Sequence, residues 1–313
     1  MMRDVVWTYS DGDDPRQKGD EMKKYVLLTD SACDLPQAVV DQHHIDIICF
    51  KIALDGQGYT ERVDFAPEEF SEMLRNASGM PTTSQVTRYE FFERFEQYAQ
   101  EGVEEVLYVS INANGSGTNA AAHAAAGDFH EEHPESAMKI HIVDGRGYSL
   151  AYGGELVTAA QMLEDGADME TVIAYLEDKY SRMVTVITAY SLKVIRKSGR
   201  VSAASAIAGD LLGIRPIFTL IDGKSQVIKK VRGDKAVASS LVRFVKEGMI
   251  PGTPYYIGYT NKKYVDEYCA LCEREIGYPP RYIIPLGSAV CSNTGPDAIG
   301  MVFEGQKRGP AEQ

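Results

Sequence analysis

Three stretches of this chain gather small residues with hydroxyl or amide groups. They are Pro81-Thr82-Thr83-Ser84-Gln85, Asn114-Gly115-Ser116-Gly117-Thr118 and Cys291-Ser292-Asn293-Thr294-Gly295-Pro296. Groups of this kind hold an anion but supply no strong base. The middle stretch has the clearest physics. It follows an apolar run and opens an alanine-rich helical segment. Free N–H groups at a helix start, aided by the helix dipole, favour negative charge. Gly115 and Gly117 let the backbone come close, and the Ser116 hydroxyl can donate to a carboxylate or phosphate oxygen. The same residue types also cap helices, and for 81–85 alone capping accounts for the composition. The three stretches together favour one shared anion site.

Other chemistries find little support. All six histidines precede residue 142, so a Ser-His-Asp arrangement has no candidate order. No catalytic carboxylate pair stands out among 45 acids. Cys269 and Cys272 form a CxxC inside VDEYCALCEREIG, a helical pattern with no second pair, which reads as packing. His43-His44 reads as a solvated loop, and no metal site is expected. Asp144-Gly145-Arg146-Gly147 fails as a dinucleotide fingerprint, because the sixth position is Leu150. No Walker lysine follows a glycine-rich loop, and no cofactor is expected. One basic cluster, Arg196-Lys197-Ser198-Gly199-Arg200, interrupts an acidic chain. It reads either as a helix end with Gly199 as terminator, or as a docking patch for an acidic partner or a phosphate.

The elements that must position these residues belong to a chain of 313 residues, long enough for two domains. The formal net charge of −13 argues against nucleic acid and against broad adhesion to anionic membranes. No apolar run reaches the roughly 18 to 20 residues of a membrane span, so stable membrane insertion is not expected. Residues 1–22 read as a disordered leader without a signal core, which predicts a cytoplasmic protein. An odd count of five cysteines fits a reducing compartment.

Residues 23–178 alternate strand and helix patterns, which predicts an α/β domain with a parallel, Rossmann-like sheet flanked by helices. KYVLLT, VEEVLYVSI and KIHIVDG read as buried strands, and Ile45–Ile52 as a further apolar run. Residues 53–76 look like an insertion with a short helix, and MPTTSQVT reads as a loop. Ligands of such sheets bind beyond the carboxyl ends of the strands. Residues 179–313 read as a C-terminal α+β domain with a mixed or antiparallel sheet. There IFTLIDGKSQVIKKVRG is a hairpin turning at Asp222-Gly223, and 291–296 is a loop after the last apolar strand.

Taken in order, several segments resemble the DegV family. They are VLLTDSACDLP, TTSQ at 82–85, SGTNAA at 116–121, LKVIRKSGRVSAASAIAGDLLGIRPIFTLIDGK at 192–224, KVRGDKA at 230–236 and NTGPDAIG at 293–300. The resemblance spans Tyr25 to about Gly305, and the long central segment is its most specific part. It implies two α/β domains with a long-chain fatty acid between them. It also implies a partner, an ATP-dependent fatty acid kinase subunit that converts the presented carboxylate to an acyl phosphate for phospholipid synthesis. On this resemblance the chain is a binding subunit without catalysis of its own. Thr83 and Ser116 become the carboxylate ligands, with Ser84, Gly117, Asn293 and Thr294 around them. Arg196 and Arg200 become contacts for the head group or the partner. The chain departs from the family pattern at Asn293, usually histidine, and at Asp297, usually glycine. It also has Asn112-Ala113 for a serine pair, Gly115 for leucine and Val86 for proline. Asparagine can donate a hydrogen bond but, unlike histidine, cannot take up a proton and become charged. Two other readings stay open. One is an enzyme acting on a phosphorylated or carboxylated small molecule, and the other is a regulatory interaction module.

Overall fold

A computed structural model describes residues 25–205, 207 and 213–307. The leader expected over 1–22 lies outside the described residues. Strand β1 (Tyr25–Asp30) leads to helix α1 (Gln37–Gln42) and β2 (Asp46–Ile48). Then come β3 (Lys51–Leu54), β4 (Gln57–Thr60), α2 (Pro67–Asn76) and β5 (Thr82–Ser84). The first half closes with α3 (Arg88–Gln100), β6 (Glu105–Ser110), α4 (Thr118–Glu132), β7 (Lys139–Asp144), α5 (Leu150–Glu164) and α6 (Met169–Tyr180). The second half opens with β8 (Met183–Ala189), α7 (Ser202–Ser205), β9 (Ile214–Ile221), β10 (Lys224–Arg232) and α8 (Val237–Gly248). It ends with β11 (Tyr255–Tyr259), α9 (Val265–Glu275), β12 (Tyr282–Pro285), α10 (Ser288–Thr294) and β13 (Ala298–Glu304).

The expected fold class holds. The first sheet, in the order β2-β1-β6-β7, is parallel throughout. Its strands are buried on both faces because helices cover both. Val26, Leu28, Val106 and Tyr108 pack toward α3 and α4, whereas Leu27, Leu107 and Val109 pack toward α5. This is the period of two that a strand imposes. From β1 the chain moves first to β2 and later to β6 on the opposite side. A crevice therefore opens beyond the carboxyl ends of β1 and β6, where strand order reverses.

The second sheet has the order β10-β9-β8-β13-β11-β12 and is mixed, with only β11 and β12 parallel. The Asp222-Gly223 hairpin forms as expected. Both residues have positive φ, 48° and 74°, as a two-residue turn of this hand requires.

Three local expectations are corrected. The run 45–52 is two strands in two sheets, because the chain turns between Ile48 and Lys51. The supposed loop at 82–85 contains β5, which pairs antiparallel with β3 (Ile52 opposite Thr83) in a small sheet ordered β4-β3-β5. β-Branched threonines suit such a pairing. The supposed loop at 291–296 is largely the end of α10, stopped at Gly295 with φ 90°, and a further buried strand, β13, follows it. The CxxC cysteines lie on α9, as expected, and burial pushes the Cys272 thiol up to about 12.

Helix α5 joins the halves. It is buried without a break from Leu150 to Val157, and its core includes Leu107 of the first sheet and Tyr256 and Val302 of the second. Its paired glycines cost helix propensity, and close packing explains them. A Cβ on Gly153 would lie 2.2 Å from the Cys33 carbonyl oxygen, and one on Gly154 would lie 2.6 Å from the Tyr256 ring.

Asp30, at the end of β1, is wholly buried. It accepts hydrogen bonds from Tyr152 Oη at 2.6 Å, Ile111 N at 2.8 Å and Tyr108 Oη at 3.0 Å. Burial outweighs these donors and raises its pKa to about 6.

Two outcomes are expected. Gly153→Ala lowers unfolding stability by roughly 3 kcal/mol through overpacking against backbone. An unchanged denaturant midpoint would refute the close approach. For Asp30, the folded state holds the proton more tightly than the unfolded chain, so its contribution is complete below about pH 4 and lost as pH rises through about 6. Asp30→Asn should therefore gain on wild type by on the order of 3 kcal/mol between those limits. Parallel stability curves for the two proteins over that range would contradict this.

Candidate functional site

Between the two halves lies a cavity of about 890 Å³ including its open mouth, within the range of small-molecule sites. Its floor is one face of the mixed sheet. Thr185 and Ile187 of β8 and Val302 of β13 face the cavity, while Val184, Val186 and Met301 point into the core beneath α8 and α9. At the centre of the floor, Gly258 of β11 stands directly opposite Gly300 of β13. Neither carries a side chain, so the floor there is bare backbone, with Leu286 close over Gly258. The facing wall is built from side chains, among them Phe50, Leu150 and Val290.

The cavity has a polar end where β5, α10, the loop before α4 and Arg200 adjoin, with Gln85 against Gly117 and Arg200 donating to Gly115. Thr83, Ser116, Asn293, Thr294 and Arg200 all line the cavity, so residues from all three polar stretches and the basic cluster converge there. Thr83 arrives on β5, half-buried, and its hydroxyl has no partner among the described residues. Ser116 sits before α4, where its Oγ lies 2.9 Å from Thr118 Oγ1 and accepts weakly from Thr118 N at 3.3 Å. It therefore caps the helix and faces the cavity at once. The Gly115 and Ser116 N–H groups both donate to the Asn112 carbonyl, at 3.0 and 3.1 Å, so these two amides are not free for an anion. Asn293 Nδ2 donates to the Ala289 carbonyl at 2.8 Å, and Thr294 Oγ1 donates to Val290 at 3.1 Å. Arg200 is exposed, and its Nε donates to the Gly115 carbonyl at 3.2 Å, which ties the second half to the loop after β6.

The other candidates are not brought to the cavity. Ser84 is exposed and next to Thr83 on a strand, so the two side chains leave opposite faces. Gly117 is exposed, and a Cβ there would meet the Gln85 side chain at 2.0 Å. Arg196 is half-buried away from the lining, and its carbonyl accepts from Ser205 Oγ.

Residues that sequence reasoning passed over complete the site. Tyr148 and Ser149 line it from the loop after β7. Ser149 has φ 56° and ψ −137°, a conformation rare for a side-chain-bearing residue, and its N–H donates to the Ala32 carbonyl at 3.1 Å. Behind the wall, two buried acids fasten α10. Glu61 Oε1 accepts from Ala289 N at 2.7 Å and Ser288 Oγ at 2.9 Å, and its Oε2 accepts from Ser31 Oγ at 2.5 Å. Asp34 Oδ1 accepts from Gly287 N at 3.0 Å. Burial, reinforced by repulsion from Glu61, holds the Asp34 pKa well above the usual carboxylate range. The isolated glycines in YYIGYT and AIGMVFE were the available signal for the floor, since glycine inside a strand marks a close approach.

The architecture is shared with known proteins. Over 90% of its length the chain matches a DegV family protein from Thermus thermophilus, itself a fatty-acid binder, at 26% identity and a TM-score of 0.79, covering all of that protein. A lipid-binding DegV protein from Thermotoga maritima matches over 91% of the chain and all of its own length, at 26% identity and a TM-score of 0.76. A DegV domain-containing protein of Clostridium perfringens is 30% identical over 299 residues, which span 92% of this chain and the whole of that protein. Among the described residues no helix is long and apolar enough to cross a membrane. With the DegV family model matching residues 24–306, the chain belongs to the DegV family.

Proposed function

We propose that this protein binds one long-chain fatty acid, with the carboxylate at the polar end of the cavity and the acyl chain in the apolar remainder. The observation that carries this reading is the convergence of Thr83 and Ser116 at one end of a single, otherwise apolar cavity. The fatty-acid and lipid binding of the Thermus and Thermotoga relatives supports it. Affinity would come mainly from burying the chain, at about 0.8 kcal/mol per CH₂. A sixteen-carbon chain would contribute about 10 kcal/mol before ordering costs. The hydroxyl donors would fix orientation more than they add affinity. Asn293 would offer its second amide hydrogen, because the first is held by Ala289.

The role is to hold rather than to convert. The polar end offers hydroxyls, an amide and a guanidinium, and no group poised as a general base. Arg200, exposed beside the loop that carries Ser116, is the natural contact for an ATP-dependent kinase subunit that would phosphorylate the presented carboxylate. Arg196 would contribute charge to the same turn. This reading belongs in the cytoplasm, where ATP is available, and five free cysteines accord with it.

Lipid extraction of the purified protein followed by mass spectrometry should yield a stoichiometric fatty acid, and an extract without lipid would defeat the proposal. Ser116→Ala and Thr83→Val should each weaken fatty acid binding about tenfold in titration of delipidated protein, and undiminished affinity in both would remove the head-group assignment. In a pull-down with a fatty acid kinase subunit, Arg200→Glu should lose recovery relative to wild type, while equal recovery would strike Arg200 from the docking surface.

A further inference from the structure

Most donors at the polar end of the cavity already have work. Thr294 Oγ1 is spent on Val290, one Asn293 amide hydrogen on Ala289, and the Ser116 hydroxyl is shared with Thr118. Tyr148 differs. Its ring packs against the cores of both halves, yet its hydroxyl has no hydrogen-bond partner among the described residues. As the ring lines the cavity, this hydroxyl can donate to whatever fills it, water or ligand.

Its position depends on Gly115. A Cβ built on that glycine would lie 2.0 Å from Tyr148 Oη and 2.7 Å from Cζ. Any side chain at 115 would thus take the space that the phenol occupies. Gly115 shows no positive φ, so backbone conformation does not demand glycine there. Close approach of the ring does. The same glycine's carbonyl accepts from Arg200 Nε, so the hydroxyl stands among Ser116, Gly115 and Arg200. Burial raises the Tyr148 pKa above the ordinary phenol value, against a smaller lowering by Arg200. The hydroxyl therefore keeps its proton at neutral pH and is available to donate.

We infer that Tyr148 Oη is a further donor to the anionic head of the ligand, admitted to the site by the missing side chain at Gly115. This rests on the fatty-acid reading above. The phenol adds discrimination for a charged carboxylate, because hydrogen bonds to charged groups are stronger than those to neutral ones.

The test compares palmitate with methyl palmitate on delipidated full-length protein. Tyr148→Phe keeps the ring and removes only the donor. It should weaken palmitate binding about tenfold and weaken the ester less, so the acid-to-ester affinity ratio falls several-fold. Gly115→Ala keeps the tyrosine but displaces its hydroxyl, and should lower the same ratio. An unchanged ratio in Tyr148→Phe overturns the assignment. Should that variant fail to fold, an unchanged ratio in Gly115→Ala overturns it instead. If wild-type protein binds neither probe, the fatty-acid reading falls and this inference falls with it.

Discussion

The turn that ends β1 carries the connections from which the rest of the site is hung. Asp30 accepts from Tyr108, Tyr152 and the backbone of Ile111, and so fixes the end of β6 and the start of α5. Ser31 donates to Glu61 and accepts from the Phe50 amide, which holds the small antiparallel sheet. Asp34 accepts from Gly287 and holds the start of α10. Three residues therefore set the relative positions of four segments. Each interaction is buried, so each is strong and costly to leave unmade. Charge burial works against the turn, as the raised pKa values of Asp30 and Asp34 record, and at Asp30 three donors converge to offset it.

The geometry of the polar end follows from this. Thr83 reaches the cavity because β5 is zipped to β3, and β3 follows Phe50, which is tied to Ser31. Asn293 and Thr294 reach it because α10 is seated on Glu61 and Asp34. Ser116 reaches it because the chain after β6 is clamped at Ile111. Residues separated by more than two hundred positions are thereby collected at one cavity. Arg200 then closes the arrangement from the second half through the Gly115 carbonyl.

Much of this could be read from the chain. The alternation of apolar strands and amphipathic helices gave the parallel sheet, and Asp222-Gly223 gave the hairpin, because both signals are local. Composition singled out the three polar stretches, and the resemblance to the DegV family picked Thr83, Ser116, Asn293 and Thr294 from them. What stayed hidden was long-range. The strand character of 82–84 depends on a partner thirty residues away, which no local pattern announces. The helix at 288–294 is only seven residues long, too short for a period to show, and Gly295 looked like the middle of a loop rather than a terminator. Ser84 was grouped with Thr83 by type, yet adjacent strand residues face opposite ways. Glu61 was one acid among 45 until folding buried it. Tyr148 was invisible because its importance is the space left by Gly115.

The paired glycines of the floor carry a last consequence. Gly258 and Gly300 are locked by ladder hydrogen bonds between two central strands, and a ladder cannot shift locally without breaking register. The opposite wall consists of aliphatic and aromatic side chains, which change rotamer at modest cost. A guest thus meets one anvil and one cushion. On the fatty-acid reading, adaptation to straight, bent or shorter tails would fall mainly to the cushion, so divergence in cargo among proteins of this build would be written mainly in the wall side chains while the centre of the anvil stays smooth.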